Sequence, residues 1–244
     1  MEDEFLMPQP QFETLEDAFA YCRDLDASLT ERLRLFSEIS RDLRPEGQEL
    51  VDRLADRLAG FQACAAAPAP GDLMPAFALP DESGRIVGLD DLLQSGPAAI
   101  TFHRGHWCPY CRINTRALAE VQDRIVSEGA SIVAITPERE AYSARLKSDS
   151  GIRYPVLSDV DNGYTLSIGL AIFVGTEVEA AMRQAGRDLP SYQGNGGWLL
   201  PIPATFVVAQ NRQVVTRFID PDYRVRMAVD DLLSALASAH AKQD

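Results

Sequence analysis

Apolar residues recur three or four positions apart through the first quarter of the chain. A run from Leu15 to Ile39 predicts a long amphipathic helix, and a run from Leu50 to about Ala66 predicts a second one. Two such helices joined by a short break predict an antiparallel helical hairpin, an N-terminal extension over residues 1–67. Because two helices alone bury too little apolar surface, this hairpin must pack on another part of the protein.

A second domain is predicted at residues 71–240, after a linker rich in alanine and proline. Two short apolar, β-branched runs at 98–102 and 131–136 flank a segment with helical spacing, which predicts a strand–helix–strand unit with parallel strands. The runs 204–209 and 213–219 predict an antiparallel hairpin. The pattern therefore predicts an α/β domain with a mixed central sheet flanked by helices.

Shorter elements are predicted between these strands and after them. Helical patterns cover 138–150, 163–170 and 176–187, and a closing helix is predicted from about 224 to 240. Residues 188–202 contain a glycine-rich run and predict a loop. A loop of that length inside a compact domain is often functional.

One stretch between the first predicted strand and its helix places two thiols three residues apart. The motif is Cys-Pro-Tyr-Cys, with thiols at Cys108 and Cys111. A Cys-x-x-Cys that leaves a strand and opens a helix lies beside free backbone N–H groups, which favour the reactive thiolate. Arg104, Arg112 and His106 add positive charge nearby. This pattern predicts redox chemistry.

Other interpretations of the two thiols remain open. Structural zinc needs four ligands, and the sequence offers no second Cys-x-x-Cys or His-x-x-His pair, so no metal site is expected. His103 and His106 beside a dithiol are compatible with a copper-binding or redox-sensing protein. Two inert core thiols are a further alternative, which the flanking aromatic and arginine residues disfavour.

The whole chain of 244 residues is acidic, with a formal net charge of −13. A phosphate backbone would be repelled by this charge, so nucleic-acid binding is not expected. No apolar run is long enough to span a membrane, and the acidic N-terminus does not resemble a signal peptide, so a cytoplasmic location is expected. Cys22 and Cys64 lie on or beside the helical stripes and are expected to be small core residues.

The sequence resembles the thioredoxin-fold redoxins, and most closely the peroxiredoxin-like branch of the alkyl hydroperoxide reductase/thiol-specific antioxidant (AhpC/TSA) family. The segments that carry the resemblance are Gly71–Leu79, Phe102–Cys111, Ile135–Glu138, Tyr154–Asp159 and Leu200–Phe206. The resemblance implies an α/β thioredoxin fold with a mixed central sheet. The N-terminal helical hairpin lies outside the common redoxin core.

The resemblance also implies roles for residues near the thiols. Pro203 resembles the cis-proline that faces the dithiol in thioredoxin-like proteins, and Thr205 follows it on the next strand. Typical peroxiredoxins have an arginine where this chain has Pro203, so the peroxide-activating set is incomplete. Arg104 or Arg112 are candidates to replace that charge.

Two alignments of the motif assign the thiols differently. On the peroxiredoxin pattern Pro-x-x-x-Thr-x-x-Cys, Cys111 occupies the peroxidatic position, Cys108 the threonine and Arg104 the proline. On the thioredoxin or glutaredoxin pattern, Cys108 is the exposed nucleophile and Cys111 the buried resolving thiol. We favour a thiol peroxidase acting on hydrogen peroxide or organic hydroperoxides, with Cys108 slightly preferred as nucleophile because its sulfur should be more exposed. A dithiol–disulfide oxidoreductase is the alternative.

Aromatic residues are expected to wall this site. Trp107, Tyr110 and Trp198 are the candidates, with Trp198 in the glycine-rich loop as a possible lid and core packing as the other explanation for each. No dinucleotide or phosphate-binding motif occurs, so no cofactor is expected. The resemblance implies thioredoxin, glutaredoxin or a low-molecular-weight thiol as the reductant. The hairpin is expected to cover the redoxin surface or to mediate a homodimer.

Overall fold

The computed structural model describes residues 11–241, and a five-stranded mixed sheet forms its centre. In spatial order the strands are β5 (Val156–Ser158), β4 (Ser131–Thr136), β3 (Ala98–Phe102), β8 (Ala204–Val208) and β9 (Val214–Ile219). Strands β3, β4 and β5 are parallel, whereas β8 runs antiparallel to both of its neighbours, β3 and β9. The predicted mixed sheet is therefore confirmed.

Seven helices follow the N-terminal region within the described residues. They are α4 (Leu89–Leu93), α5 (Pro109–Ser127), α6 (Glu140–Ser150), α7 (Gly163–Ser167), α8 (Thr176–Gln184), α9 (Leu189–Gln193) and α10 (Val229–Ala241). Helix α10 begins five residues later than the pattern predicts. The preceding segment forms turns instead, in which the carboxylates of Asp220 and Asp222 accept hydrogen bonds from the backbone N–H groups of Asp222 and Arg224.

Two small antiparallel sheets lie outside the central one. Strands β1 (Ala78–Pro80) and β2 (Ile86–Gly88) form the first, and β6 (Ala171–Phe173) and β7 (Leu199–Pro201) form the second. The prediction of an uninterrupted loop at 188–202 was wrong, because α9 and β7 both lie within it. The three-residue strands β6 and β7 carry too little periodicity to be predicted.

The N-terminal region contains three helices, α1 (Leu15–Asp24), α2 (Leu29–Leu43) and α3 (Pro45–Gly60). The prediction of one continuous helix to Ile39 was wrong, because the chain is extended at Leu25 and Ser28 starts a new helix. Ser28 forms a capping box with Glu31, in which each side chain accepts a hydrogen bond from the other residue's backbone N–H.

Helices α1 and α2 pack on α5. Their apolar side chains form one cluster with the start of α5, made of Ala18, Phe19, Cys22, Leu29, Leu33, Phe36, Cys108, Tyr110, Cys111, Ile113 and Ala117. The buried Arg32 of α2 donates hydrogen bonds of 2.9 and 3.0 Å to both carboxylate oxygens of Glu120 on α5. These helices therefore cover one side of the helix that carries the thiols, while the boundary at residue 67 stays a prediction.

Strand β3 is buried on both faces of the sheet. Ile100 and Phe102 pack on one side in a cluster with Phe206, while Ala99 packs on the other in a cluster with Val207 and residues of α5 and α10. The carboxyl end of β3, which leads to the thiols, is thus held by packing from both directions. In the part of the chain from 11 to 241, no helix is both long and apolar enough to cross a membrane.

Candidate active site

The end of β3 and the start of α5 position the two thiols. The chain leaves β3 at Phe102, forms a short loop, and enters α5 at Pro109, with Cys108 as the N-cap residue and Cys111 in the first turn. Proline suits this position because its missing N–H has no helical partner there. Both cysteines are free thiols, as are Cys22 and Cys64. Cys22 is buried as expected, and Cys64 is half-buried.

Both thiols of the motif are buried. The exposed fraction is 1% for Cys108 and 0% for Cys111. The expectation that Cys108 is exposed was wrong, because the N-terminal helices cover the start of α5 and Phe36 packs in the same cluster as both thiols. Exposure therefore does not distinguish a nucleophile from a resolving thiol.

The sulfur of Cys111 lies among hydrogen-bond donors and positive charge. The backbone N–H of Arg104 donates to its Sγ at 3.3 Å, and the Arg226 guanidinium approaches it at 3.6 Å. Burial opposes ionisation of Cys111, but a hydrogen bond from Cys108 and interactions with His103 and Arg226 outweigh it and hold the pKa of Cys111 well below its usual range. Cys111 is therefore the favoured position for a thiolate.

The Cys108 thiol, in contrast, favours its protonated form. Burial raises the pKa of the Cys108 thiol well above its ordinary value, and the hydrogen bond with Cys111 and the charge of that thiolate raise it further. Two groups this closely coupled titrate as a pair. Within this pair the proton is favoured on Cys108 and the negative charge on Cys111.

Arg104 is a buried cation beside the thiols, as its candidate role requires. Its guanidinium lies 3.7 Å from the ring centroid of Tyr223 and 5.0 Å from that of Trp107, which places it between two aromatic faces. Because planar packing fixes the guanidinium, Arg104 provides a positioned positive charge next to Cys108.

Sequence reasoning missed Arg226 and Tyr223. Arg226 is buried, donates to the backbone carbonyl of Val225 at 2.7 Å and faces Cys111, and its Nε has no protein hydrogen-bond partner. Its guanidinium therefore lies beside the Cys111 sulfur. No sequence signal identifies it, because it lies 115 positions after Cys111 in a segment predicted as helix.

The loop between β3 and α5 is held by a buried carboxylate. Glu138 accepts hydrogen bonds of 2.7 Å from both the backbone N–H and the Nδ1 of His106. Burial raises the pKa of Glu138 despite these bonds. The His106 ring also stacks on Tyr142 and meets the edge of Tyr192. His106 is therefore engaged in fixing the loop.

The remaining candidate residues lie in different environments. Arg112 lies over the ring of Phe19 at 4.4 Å and pairs with Asp149 at 3.6 Å, and it does not line the cavity at Cys108. Thr205 is buried on β8 opposite Thr101 of β3. The expectation of a cis bond before Pro203 was wrong, because all peptide bonds between residues 11 and 241 are trans.

The aromatic residues expected to wall the site divide into two groups. Trp107 and Tyr110 line a cavity of about 220 Å³ that also reaches Arg104 and Cys108. Trp198 does not line this cavity, but it is buried in the core cluster that also contains Leu54 and Met182 of the cavity wall. Its position is that of a packed core residue, and a lid role for it stays a prediction. Among the described residues, no group of three or more histidine, cysteine or acidic side chains could hold a metal ion.

The comparison with known families covers most of the α/β part of the chain, which follows helix α3. The sequence profile of the AhpC/TSA family matches residues 70–217. The chain belongs to the AhpC/TSA family. The match includes Cys108, Cys111 and Arg104, whereas helices α1–α3, Tyr223 and Arg226 lie outside it.

Individual relatives of this AhpC/TSA protein are peroxiredoxins. A Mycobacterium tuberculosis protein named as a candidate peroxiredoxin is 30% identical over 95 residues, and peroxiredoxin Bcp of Escherichia coli is 26% identical over 92 residues. Each match covers 38% of this chain and 58% of the relative, so the chain spans little more than half the length of these curated proteins.

Solved structures resemble the fold over a longer region. Peroxidoxin BcpB from Mycobacterium tuberculosis, at 22% identity, has a TM-score of 0.53 over 71% of this chain and 97% of that one. A peroxiredoxin-like protein from Aquifex aeolicus, at 15% identity, has a TM-score of 0.56 over 71% of this chain and 90% of that one. These likenesses confirm the predicted thioredoxin-like α/β fold.

Proposed function

We propose that this AhpC/TSA family protein is a thiol-dependent peroxidase that reduces hydrogen peroxide or organic hydroperoxides through Cys108 and Cys111. The observation that carries the proposal is the division of the site between its two sulfurs. Cys108 lines the cavity beside the Arg104 guanidinium, and Cys111 holds the negative charge behind it. A peroxide in the cavity would meet Cys108 first.

The first step needs Cys108 as a thiolate. The thiolate of Cys111 accepts the Cys108 proton through the hydrogen bond that joins the two groups. The Cys108 sulfur then attacks the terminal peroxide oxygen, forming an S–O bond while the O–O bond breaks. The leaving alkoxide or hydroxide carries the developing negative charge, which the nearby Arg104 stabilises.

The second step returns the charge to Cys111. The leaving group takes the proton from the Cys111 thiol and departs as an alcohol or water. The regenerated Cys111 thiolate attacks the sulfenic acid of Cys108, releasing hydroxide and forming the Cys108–Cys111 disulfide. Two electrons pass from two thiols to one peroxide, and Cys111 acts in turn as base, acid and resolving nucleophile.

An external thiol must then reduce the disulfide. Thioredoxin, glutaredoxin or a low-molecular-weight thiol would supply the two electrons, and the cytoplasm is the compartment that maintains such reductants. No bound cofactor takes part in this scheme. Association into a homodimer stays a prediction.

Rapid mixing with hydrogen peroxide tests the proposal. The reduced wild type, Cys108→Ser and Cys111→Ser are each mixed with peroxide, sulfenic acid is trapped, and mass spectrometry locates it. Wild type should react faster than a free thiol and form the disulfide, and Cys111→Ser should accumulate sulfenic acid at Cys108. Sulfenic acid at Cys111 in Cys108→Ser, formed at the wild-type rate, would instead make Cys111 the nucleophile. Reaction of all forms at the rate of a free thiol, with capture of glutathione disulfide by Cys108, would indicate a disulfide oxidoreductase.

A further inference from the structure

An apolar cavity leads to the dithiol. It has a volume of about 220 Å³, and Arg104, Trp107 and Cys108 contribute to its wall. The rest of its wall is mainly hydrocarbon, contributed by residues that include Phe36, Val51, Leu54, Val178, Ala181 and Met182. The cavity therefore combines a reactive thiol with a mainly apolar wall.

The walls of this cavity come largely from helices that flank the thioredoxin-like sheet. Helices α2 and α3 precede residue 70 and lie outside the family match, and α8 lies opposite α3. Leu54 and Leu58 of α3 pack in one cluster with Val178 and Met182 of α8. The wall is thus a packed contact between two helices.

Hydrogen bonds hold α3 in this position. Arg57 donates to the backbone carbonyl of Val174 at 3.0 Å, just before α8. Arg224 donates to Asp52 of α3 at 2.6 Å and to Gln48 at 3.1 Å, which ties α3 to the segment that carries Tyr223 and Arg226. These hydrogen bonds hold α3, whose Val51 and Leu54 line the cavity, against two other segments of the chain.

The size and lining of the cavity restrict what it can bind. A water molecule takes about 30 Å³ of liquid, so hydrogen peroxide needs only a small part of this space. An apolar cavity of about 150 Å³ is known to take benzene. Pockets for larger ligands start near 300 Å³, so this volume matches a small molecule better than a peptide segment or a whole lipid. A small aryl or branched alkyl group fits both the volume and the lining.

We propose that α3 and α8 determine substrate specificity by enclosing the hydrocarbon group of an aryl or branched alkyl hydroperoxide. The peroxide group of such a molecule lies beside Cys108 and Arg104, and the hydrocarbon group displaces water from the apolar wall. This inference rests on the proposed peroxidase function. The overall reaction converts the hydroperoxide to its alcohol and water while Cys108 and Cys111 form a disulfide.

Filling the cavity tests the inference. Ala181→Phe on α8 and Val51→Phe on α3 each place a ring in the cavity, and neither residue takes part in the chemistry. Ala180→Phe and Ala59→Phe are the matched controls, because these exposed positions on the same helices do not line the cavity. The kcat/KM for cumene hydroperoxide should fall at least tenfold in the filled variants, with that for hydrogen peroxide within twofold of wild type. Both controls should match wild type.

A second measurement does not depend on turnover. The alcohol product of cumene hydroperoxide, 2-phenyl-2-propanol, should bind the reduced protein in calorimetry and lose at least tenfold in affinity in the filled variants. Absence of binding to wild type, or a parallel fall for both peroxides in the filled variants, would overturn the specificity inference alone. Reaction of wild type with both peroxides at the rate of a free thiol would overturn the proposed function.

Discussion

The negative charge at Cys111 is produced by side chains and backbone from three parts of the chain. His103 and Arg104 follow β3, Cys108 begins α5, and Arg226 precedes α10. Together they stabilise a thiolate whose side chain is fully buried. Removing solvent strengthens each of these interactions because the local dielectric constant is low.

This charge makes the stability of the reduced protein depend on pH. The pKa of an unfolded cysteine is about 8.5, and the pKa of Cys111 in the folded protein is lower. Between these two values the unfolded chain binds one more proton than the folded protein. The free energy of unfolding therefore rises with pH, by up to ~1.4 kcal/mol per pH unit. Above about pH 8.5 the raised pKa of Cys108 reverses the sign. The stability difference between wild type and the variant Cys108→Ser/Cys111→Ser should therefore peak near this pH in urea unfolding. A difference independent of pH would contradict the assigned charges.

Gly105 is a position where the site requires the absence of a side chain. Its φ is +137°, and an added Cβ would lie 2.6 Å from the Glu138 carboxylate. We expect Gly105→Ala to lower the free energy of unfolding by about 3 kcal/mol. The added methyl group would clash with the Glu138 carboxylate, and alanine would be strained at this positive φ.

Gly186 provides a comparison in which no collision occurs. Its φ is also positive, but an added Cβ would meet no atom within 4 Å. Gly186→Ala should cost about 1 kcal/mol from backbone conformation alone. Equal losses for the two variants in chemical denaturation would show that the contact with Glu138 does not matter.

At the residue scale, the sequence identified the thiols and Arg104 because they share one short motif. It did not identify Arg226 or Tyr223, which reach the site only through the packing of a distant segment. The sequence did not predict the burial of Cys108 either, because Phe36 and the other residues that cover it lie in helices outside the redoxin core.

At the scale of elements, long periodic segments were predicted and short or interrupted ones were not. Strands β3, β4, β8 and β9 and helix α5 follow clear apolar patterns. Strands β6 and β7 have three residues each and gave no signal. The break between α1 and α2 was marked by Ser28 and Glu31, but the apolar spacing continues across it and concealed the new helix start.

The contact between α2 and α5 depends on Arg32 and Glu120. We expect Arg32→Met to lower the free energy of unfolding by about 2 kcal/mol, because it removes the two hydrogen bonds to Glu120 and two more to backbone carbonyls of the N-terminal region. Arg34→Met on the same helix is the control, since its pair with Glu38 is exposed and should change stability by less than ~0.5 kcal/mol. Urea unfolding measures both, and similar losses would show that Arg32 does not anchor α2.

At the scale of the whole molecule, the N-terminal helices and the thioredoxin-like unit enclose the dithiol together. A small peroxide can enter the cavity, but a globular reductant cannot touch a sulfur that is 1% exposed. For the proposed peroxidase, reduction by thioredoxin would therefore require the N-terminal helices over the thiols to open first, whereas oxidation by a small peroxide would not.

This requirement predicts the kinetics of reduction. The rate of disulfide reduction by thioredoxin should level off at the opening rate as its concentration rises, and glutaredoxin should reach the same plateau. Arg32→Met should raise that plateau because it weakens the contact of α2 with α5, and Arg34→Met should not. Stopped-flow fluorescence measures these rates, and a rate linear in thioredoxin up to high concentration would contradict the need for opening.

The burial of both sulfurs then links catalysis to temperature in an uncommon way. Chemical attack on a peroxide has a modest activation enthalpy, but separating packed helices has a large one. Under continuous turnover with a protein reductant, warming should speed recycling more than it speeds peroxide attack. The oxidised form would accumulate in the cold, and the protein would act as a sustained peroxidase only where its N-terminal helices open often enough.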